Sequence, residues 1–160
     1  MKNLIRAIIA LITLSCCTPK NGVESQARIK SIKDMISKDQ ETEIPSITYK
    51  EFLEKIYDFE NDSAQQWTNK SGRPIVIDFY ATWCAPCKKI APNLQELSVE
   101  YLNVDFYKVD TQEEDRLAMA FNIQSVPTLM FIPKEGDPYL SLGYISKGEI
   151  KQIIKELVKY

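Results

Sequence analysis

The chain has 160 residues, enough for one domain with accessories. Its composition, 44% hydrophobic and 26% charged, is that of a globular protein. A net charge of −2 with acids and bases interspersed offers no basic patch, so no nucleic-acid partner is expected. The complete absence of histidine excludes Ser-His-Asp and Cys-His catalysis and removes the commonest zinc ligand.

The N-terminus reads as an export signal. Lys2 and Arg6 supply a positive start, and Ala7 to Leu14 is an apolar run of eight residues with Thr13 its one polar member. Eight residues are too few to span a bilayer, which takes about 20, but suit the apolar core of a signal peptide. Thr13-Leu14-Ser15-Cys16 follows, and an apolar then a small residue before a cysteine resembles the bacterial lipoprotein signal. That resemblance implies cleavage after residue 15 and lipid on Cys16. Cys17 is the alternative acceptor, with Leu14 at the usual leucine position but Cys16 where a small residue belongs. An uncleaved anchor or an ordinary cleaved signal are the other readings. Cleavage before Cys16 removes two bases and no acids, taking the formal charge from −2 to −4.

Residues 16–45 are polar and mixed in charge and read as a tether. Residues 46–160 read as one compact domain. Ile47 and Tyr49 suggest a short first strand. Thr48 with Glu51 forms a capping box for a helix through Phe59, with Phe52, Ile56 and Phe59 on its apolar face. A polar connection from Asn61 to Gly72 contains Trp67, read as a packing anchor. Pro74 to Tyr80 is a buried-strand signal broken only by Asp78. A helix is expected from Ala85 to about Tyr101, kinked at Pro92, which removes one hydrogen bond. Phe106–Val109 reads as a strand, Glu113–Phe121 as a helix, Thr128–Ile132 as a strand, and Tyr139–Leu142 as a strand ending at Gly143. Ser146 with Glu149 starts a last helix ending near Lys159. The order β-α-β-α-β-α-β-β-α predicts an α/β domain with a central sheet flanked by helices. Its last two strands are close in sequence and must be antiparallel, so the sheet is mixed.

The four cysteines fall into two pairs, Cys16/Cys17 and Cys84/Cys87. A zinc site joining them is disfavoured, because the first pair is adjacent and sits at the edge of the signal, so no metal is expected. Cys84 and Cys87 follow the strand signal and open the helix signal. A helix N-terminus stabilises a thiolate, and a second thiol three residues on can attack the first sulfur once it carries a mixed disulfide.

The run from Asp78 through Trp83-Cys84-Ala85-Pro86-Cys87 to Pro92 resembles the active-site strand and helix of the thioredoxin family. Val126-Pro127-Thr128, with Pro127 placed 40 residues after Cys87, resembles that family's cis-proline loop. Lys108-Val109-Asp110 resembles its central strand, and Gly143 the glycine that admits substrate. The match covers about Ser46 to Tyr160. It implies a thioredoxin fold and a redox-active Cys84–Cys87 disulfide. Cys84 is then the nucleophile with the more exposed sulfur, and Cys87 the resolving thiol. Asp78, costly to bury unpaired, is implied as proton acceptor for Cys87, with Lys108 on the neighbouring strand able to pair with it. Trp83, Val126, Pro127 and Gly143 form the substrate surface, and Pro86 and Pro92 are structural. Ala85 departs from the family's usual glycine, Tyr80 from a frequent tryptophan and Val126 from the usual isoleucine; the first leaves the redox potential open.

The resemblance therefore implies reduction of protein disulfides without metal or organic cofactor. Joined to the signal, it implies a monomer lipid-anchored at an extracytoplasmic face of a bacterial envelope and recharged by a membrane electron donor. A disulfide oxidase or isomerase is the second enzymatic reading. A non-catalytic binding module is a third, disfavoured by the intact Cys84, Cys87, Asp78 and Pro127.

Overall fold

The computed structural model describes residues 43–61 and 66–159. The signal, Cys16, Cys17 and most of the tether lie outside the described residues. No helix among those described is long and apolar enough to cross a membrane.

The elements are α1 (Tyr49–Lys55), β1 (Ile75–Tyr80), α2 (Ala85–Glu100), β2 (Asp105–Asp110), α3 (Asp115–Ala120), β3 (Thr128–Ile132), β4 (Tyr139–Leu142) and α4 (Lys147–Leu157). The four strands make one sheet in the order β2-β1-β3-β4. β1 runs parallel to β2 and antiparallel to β3, and β4 runs antiparallel to β3, giving the mixed sheet that the element order implied.

β1 is buried on both faces, which is why its sequence is nearly continuous in apolar residues. Ile75, Ile77 and Phe79 point to one face, where Phe52 and Ile56 of the α1 region and Leu117 of α3 cover them. Val76 points to the other, against Ile90, Leu94 and Leu97 of α2 and Ile150, Ile154 and Leu157 of α4. By the same alternation Asp78 falls on the α2 side. Two ion pairs between α2 and α4, Glu96–Lys147 and Glu100–Lys151, tie the outer helices at the surface.

Both capping boxes are present. Thr48 and Glu51 cap α1, and Ser146 and Glu149 cap α4, each with reciprocal side-chain-to-backbone bonds. Trp67 is a packing anchor as expected, with its ring 4.2 Å from that of Tyr57 and further edge contacts to Phe52 and Phe121. α2 continues through Pro92 to Glu100.

The expected elements need two corrections. The first strand is reduced to a single parallel bridge between Ser46 and Lys108, and Tyr49 opens α1 instead. The capping box begins the helix directly after Thr48, which leaves no room for Tyr49 in a strand. α1 also stops at Lys55, short of Phe59. Beyond Ile56 the chain turns, so Phe59 packs against Tyr49 and Phe121 from a loop. In addition Glu43–Pro45, read as the end of the tether, lie on the domain: Ile44 is buried in the core on the α2 side.

Candidate active site

The site assembles at one end of the sheet because three chain segments terminate there. β1 ends at Tyr80, whose carbonyl accepts bonds from the Thr111 N–H and hydroxyl at the end of β2. The chain then turns through Ala81-Thr82-Trp83 and enters α2. β3 runs antiparallel to β1, with Phe79 opposite Thr128, so the start of β3 meets the end of β1. β4 leaves from the same end, with Leu142 opposite Thr128.

Cys84 is the N-cap of α2 and is disulfide-bonded to Cys87, with Cα atoms 5.3 Å apart. The Cys84 sulfur accepts the Cys87 N–H at 3.1 Å. A sulfur in this place occupies the position of a capping oxygen, facing the free N–H groups and positive dipole end of a 16-residue helix. The first turn carries no acidic residue to oppose a thiolate there. Pro86 fits the same turn, where an absent N–H costs nothing.

The expected difference in exposure between the two sulfurs is not seen at the residue level: Cys84 is 2% exposed and Cys87 is 3%. Trp83, expected on the substrate surface, is 70% exposed, a large apolar surface beside the disulfide. Val126 and Tyr80 pack against the cluster of Ala81, Cys84 and Cys87. The Val126–Pro127 peptide bond is cis. The Pro127 carbonyl accepts the Gly143 N–H at 2.8 Å, which fixes the two loops to each other. Gly143 has φ +79°, a conformation that favours glycine, and a Cβ there would meet nothing within 4 Å. Backbone geometry requires the glycine, and the space beside it is open.

Asp78 lies behind the disulfide. Its Oδ1 is buried without a hydrogen-bond partner among the described residues. A cavity of about 190 Å³ joins it to Cys87, with Tyr80, Thr82 and Lys88 in its wall. Burial pushes the Asp78 carboxyl up to about 7, against a smaller downward pull from the Lys108 charge. The cavity is large enough for water.

Lys108 sits opposite Asp78 in the β1–β2 register, as the sequence reading placed it. Its ammonium, however, pairs with Glu43, whereas pairing with Asp78 was the expectation. Sequence reasoning missed Glu43, because its acidic, exposed character is indistinguishable from that of the surrounding tether. Pro92 lies one turn beyond this region, on the exposed side of α2, and does not touch the chemistry. No group of metal-ligating side chains occurs among the described residues.

Comparison with known proteins agrees with this geometry. A family model described as thioredoxin matches residues 55–156. A thioredoxin of Borreliella burgdorferi is 43% identical over 112 residues, covering 69% of this chain and 94% of the relative. Thioredoxin-1 of Caenorhabditis elegans is 35% identical over 107 residues, covering 67% and 92%. Among solved structures, chloroplastic thioredoxin z aligns with a TM-score of 0.62 at 23% identity, covering 74% of this chain and 96% of that one, a likeness of fold. Mitochondrial thioredoxin 3 of Saccharomyces cerevisiae aligns with a TM-score of 0.50 at 34% identity, covering 54% and 81%.

The buried carboxyl makes a stability prediction with a definite sign. A group whose folded-state pKa is raised binds more protons folded than unfolded, so stability falls as pH rises through the window from about 4 to about 7. Asp78→Asn removes the charge and keeps the shape. The variant and the parent should be nearly equal in stability near pH 4, and the variant the more stable at pH 8, by at most on the order of 4 kcal/mol. Urea unfolding at several pH values checks this, and parallel stability curves for the two proteins would contradict it.

Proposed function

The chain belongs to the thioredoxin family and is a thioredoxin-like disulfide reductase, and from that premise we propose that it reduces protein disulfides outside the cytoplasm, anchored by lipid. The observation that carries the catalytic part is the pairing of two environments. Cys84 caps a helix, and Cys87 shares a cavity with a buried carboxyl whose Oδ1 has no hydrogen-bond partner among the described residues.

Cys84 acts first. In the dithiol form its thiolate attacks a substrate disulfide, one substrate sulfur leaves as a thiolate, and a mixed disulfide joins the substrate to Cys84. The Asp78 carboxylate then accepts the Cys87 proton through the cavity, by way of water. The Cys87 sulfur attacks the Cys84 sulfur. The second substrate thiolate leaves, and the Cys84–Cys87 disulfide remains. Two electrons have passed from the enzyme dithiol to the substrate, and a dithiol donor must return them. Trp83, Val126, Pro127 and Gly143 surround the disulfide with apolar surface and open space for an extended segment of substrate. Lys108 tunes Asp78 by its charge.

The location rests on the N-terminal sequence. A charged start, an eight-residue run that is apolar except at Thr13, and Cys16 after Ser15 support export and lipidation, with Cys17 as the alternative acceptor. A reductase held on the outer side of a bacterial membrane is beyond reach of cytosolic reductants, so a membrane electron donor is part of the proposal.

Three measurements test it. Cys87→Ser should accumulate mixed disulfides through Cys84 with its natural substrates, identified by mass spectrometry; the loss of every trapped species only when Cys84 is also replaced confirms the nucleophile, and a Cys87→Ser protein that traps nothing contradicts it. Equilibration with glutathione should place the potential near that of thioredoxin, about −270 mV, whereas a value near −120 mV would make the protein an oxidant. Cells fed a labelled lipid precursor should label the parent chain and lose the label in Cys16→Ala; label retained until Cys17 is replaced moves the anchor by one residue, and no label in the parent chain removes it.

A further inference from the structure

A second cavity, of about 80 Å³, lies on the other side of Asp78. Glu43, Ile44, Gln95 and Lys108 line it together with Asp78. Asp78 and Lys108 thus border both spaces, and Lys108, 27% exposed, stands between the buried carboxyl and the outside. Its strand register puts it directly beside Asp78. One ammonium therefore faces two carboxylates, Asp78 inside and Glu43 at the rim, and it is paired with Glu43.

Glu43 is placed at that rim by the residues that follow it. The Ile44 N–H donates to Gln95 Oε1 at 3.1 Å. The Lys108 N–H donates to the Pro45 carbonyl at 3.0 Å, and the Ile47 N–H donates to the Lys108 carbonyl at 3.1 Å. Ile44 is buried in the core. The Glu43 side chain itself is 80% exposed, so the pair adds little to stability. What it fixes is the place of the charge. Lys108 draws the Glu43 carboxyl below the usual range, first through the hydrogen bond and then through its charge.

We infer that Glu43 is a positioning residue: by holding the Lys108 ammonium at the rim it keeps that charge out of contact with the buried Asp78 carboxyl and sets the pH at which Asp78 serves Cys87. The inference rests on the proposed role of Asp78. Glu43 lies outside the span matched by the family model, residues 55–156, so this control belongs to the segment that leads into the domain. The groups around Asp78 are few. β2 presents Lys108, α2 presents Cys87 and Lys88, the entering segment presents Glu43, β1 itself presents Tyr80, and β3 presents only Leu129. Asp110, at the end of β2, acts on Tyr80. Among the described residues Lys108 is the charge that acts on Asp78 appreciably, and it favours the ionised form. Freed from Glu43, the ammonium can turn inward, and an opposite charge at contact lowers a carboxyl by about 1–3 pH units.

The test titrates the Asp78 carboxyl by carbon-13 NMR in the full oxidised chain, beside the pH profile of insulin-disulfide reduction between about pH 5 and pH 9. In Glu43→Gln, Asp78 should titrate about one pH unit lower than in the parent, and the acid limb of the rate profile should move with it. Glu43→Asp should restore the parent titration. In a Lys108→Gln background, Glu43→Gln should change nothing, because the charge it releases is gone. An unchanged Asp78 titration in Glu43→Gln, or an equal shift in the Lys108→Gln background, overturns the inference. A carboxyl that shifts while the rate profile stays fixed supports the hold of Glu43 on Lys108 and overturns instead the use of Asp78 by Cys87.

Discussion

A buried carboxyl group, one of whose oxygens has no hydrogen-bond partner among the described residues, set into the central strand of the sheet behind a disulfide, is the constraint on which the rest of the site depends. Removing a carboxylate from water without compensation costs several kcal/mol or more, and the group responds by holding its proton. Asp78 does so, with its carboxyl raised to about 7. Nothing in the packing of the sheet calls for a polar side chain there. Val76, two residues earlier on the same face, packs into the core against α2 and α4. The alternation of β1 would place another aliphatic residue at 78, and a chain selected for stability alone would have one. On the proposed mechanism the acid is explained by what lies across the cavity, which is Cys87.

The topology brings the other parts to the same place. β1 and β3 are antiparallel neighbours, so the end of one strand adjoins the beginning of the other. The first places the CxxC helix start, the second places Val126 and Pro127, and β4 adds Gly143 through its bond to the Pro127 carbonyl. Parallel pairing of β1 with β2 brings Lys108 beside Asp78 at the same level of the sheet. Residues far apart in sequence therefore converge through three strand registers. A one-residue slip in any of them would turn these side chains to the opposite face.

What was legible in the sequence follows this logic. The strand, the helix start, both capping boxes and the mixed sheet were readable because each is written in local pattern: apolar runs, Ser or Thr three residues before Glu, proline in a first helical turn. Asp78 was readable for the opposite reason, as a charge interrupting an apolar strand. The first strand was misread because Ile47 and Tyr49 alternate like a strand over too few residues, and the capping box at Thr48 claimed Tyr49 for the helix. The partner of Lys108 was not readable at all. Glu43 and Lys108 are 65 residues apart, and an acid in a polar stretch carries no mark of its destination. Only the docking of Ile44 and Pro45 on the domain brings it there.

On the proposed mechanism the two sulfurs divide the electrostatic work. Cys84 carries its negative charge at the mouth of a helix, where free N–H groups and the dipole receive it. Cys87 faces a partly open, largely apolar space that already holds an acid. In a medium of low effective dielectric, a Cys87 thiolate and an Asp78 carboxylate at close range repel strongly, so the pair accommodates one negative charge far more readily than two. Passing the proton from sulfur to carboxyl leaves the count of charges in the cavity unchanged, and a carboxylate whose affinity for the proton is raised toward neutrality makes that exchange less uphill than an ordinary carboxylate would. The ammonium of Lys108 is the remaining variable in that count. Turned inward it would neutralise Asp78 and lower its affinity for the proton; drawn to Glu43 it leaves the exchange between Cys87 and Asp78 balanced.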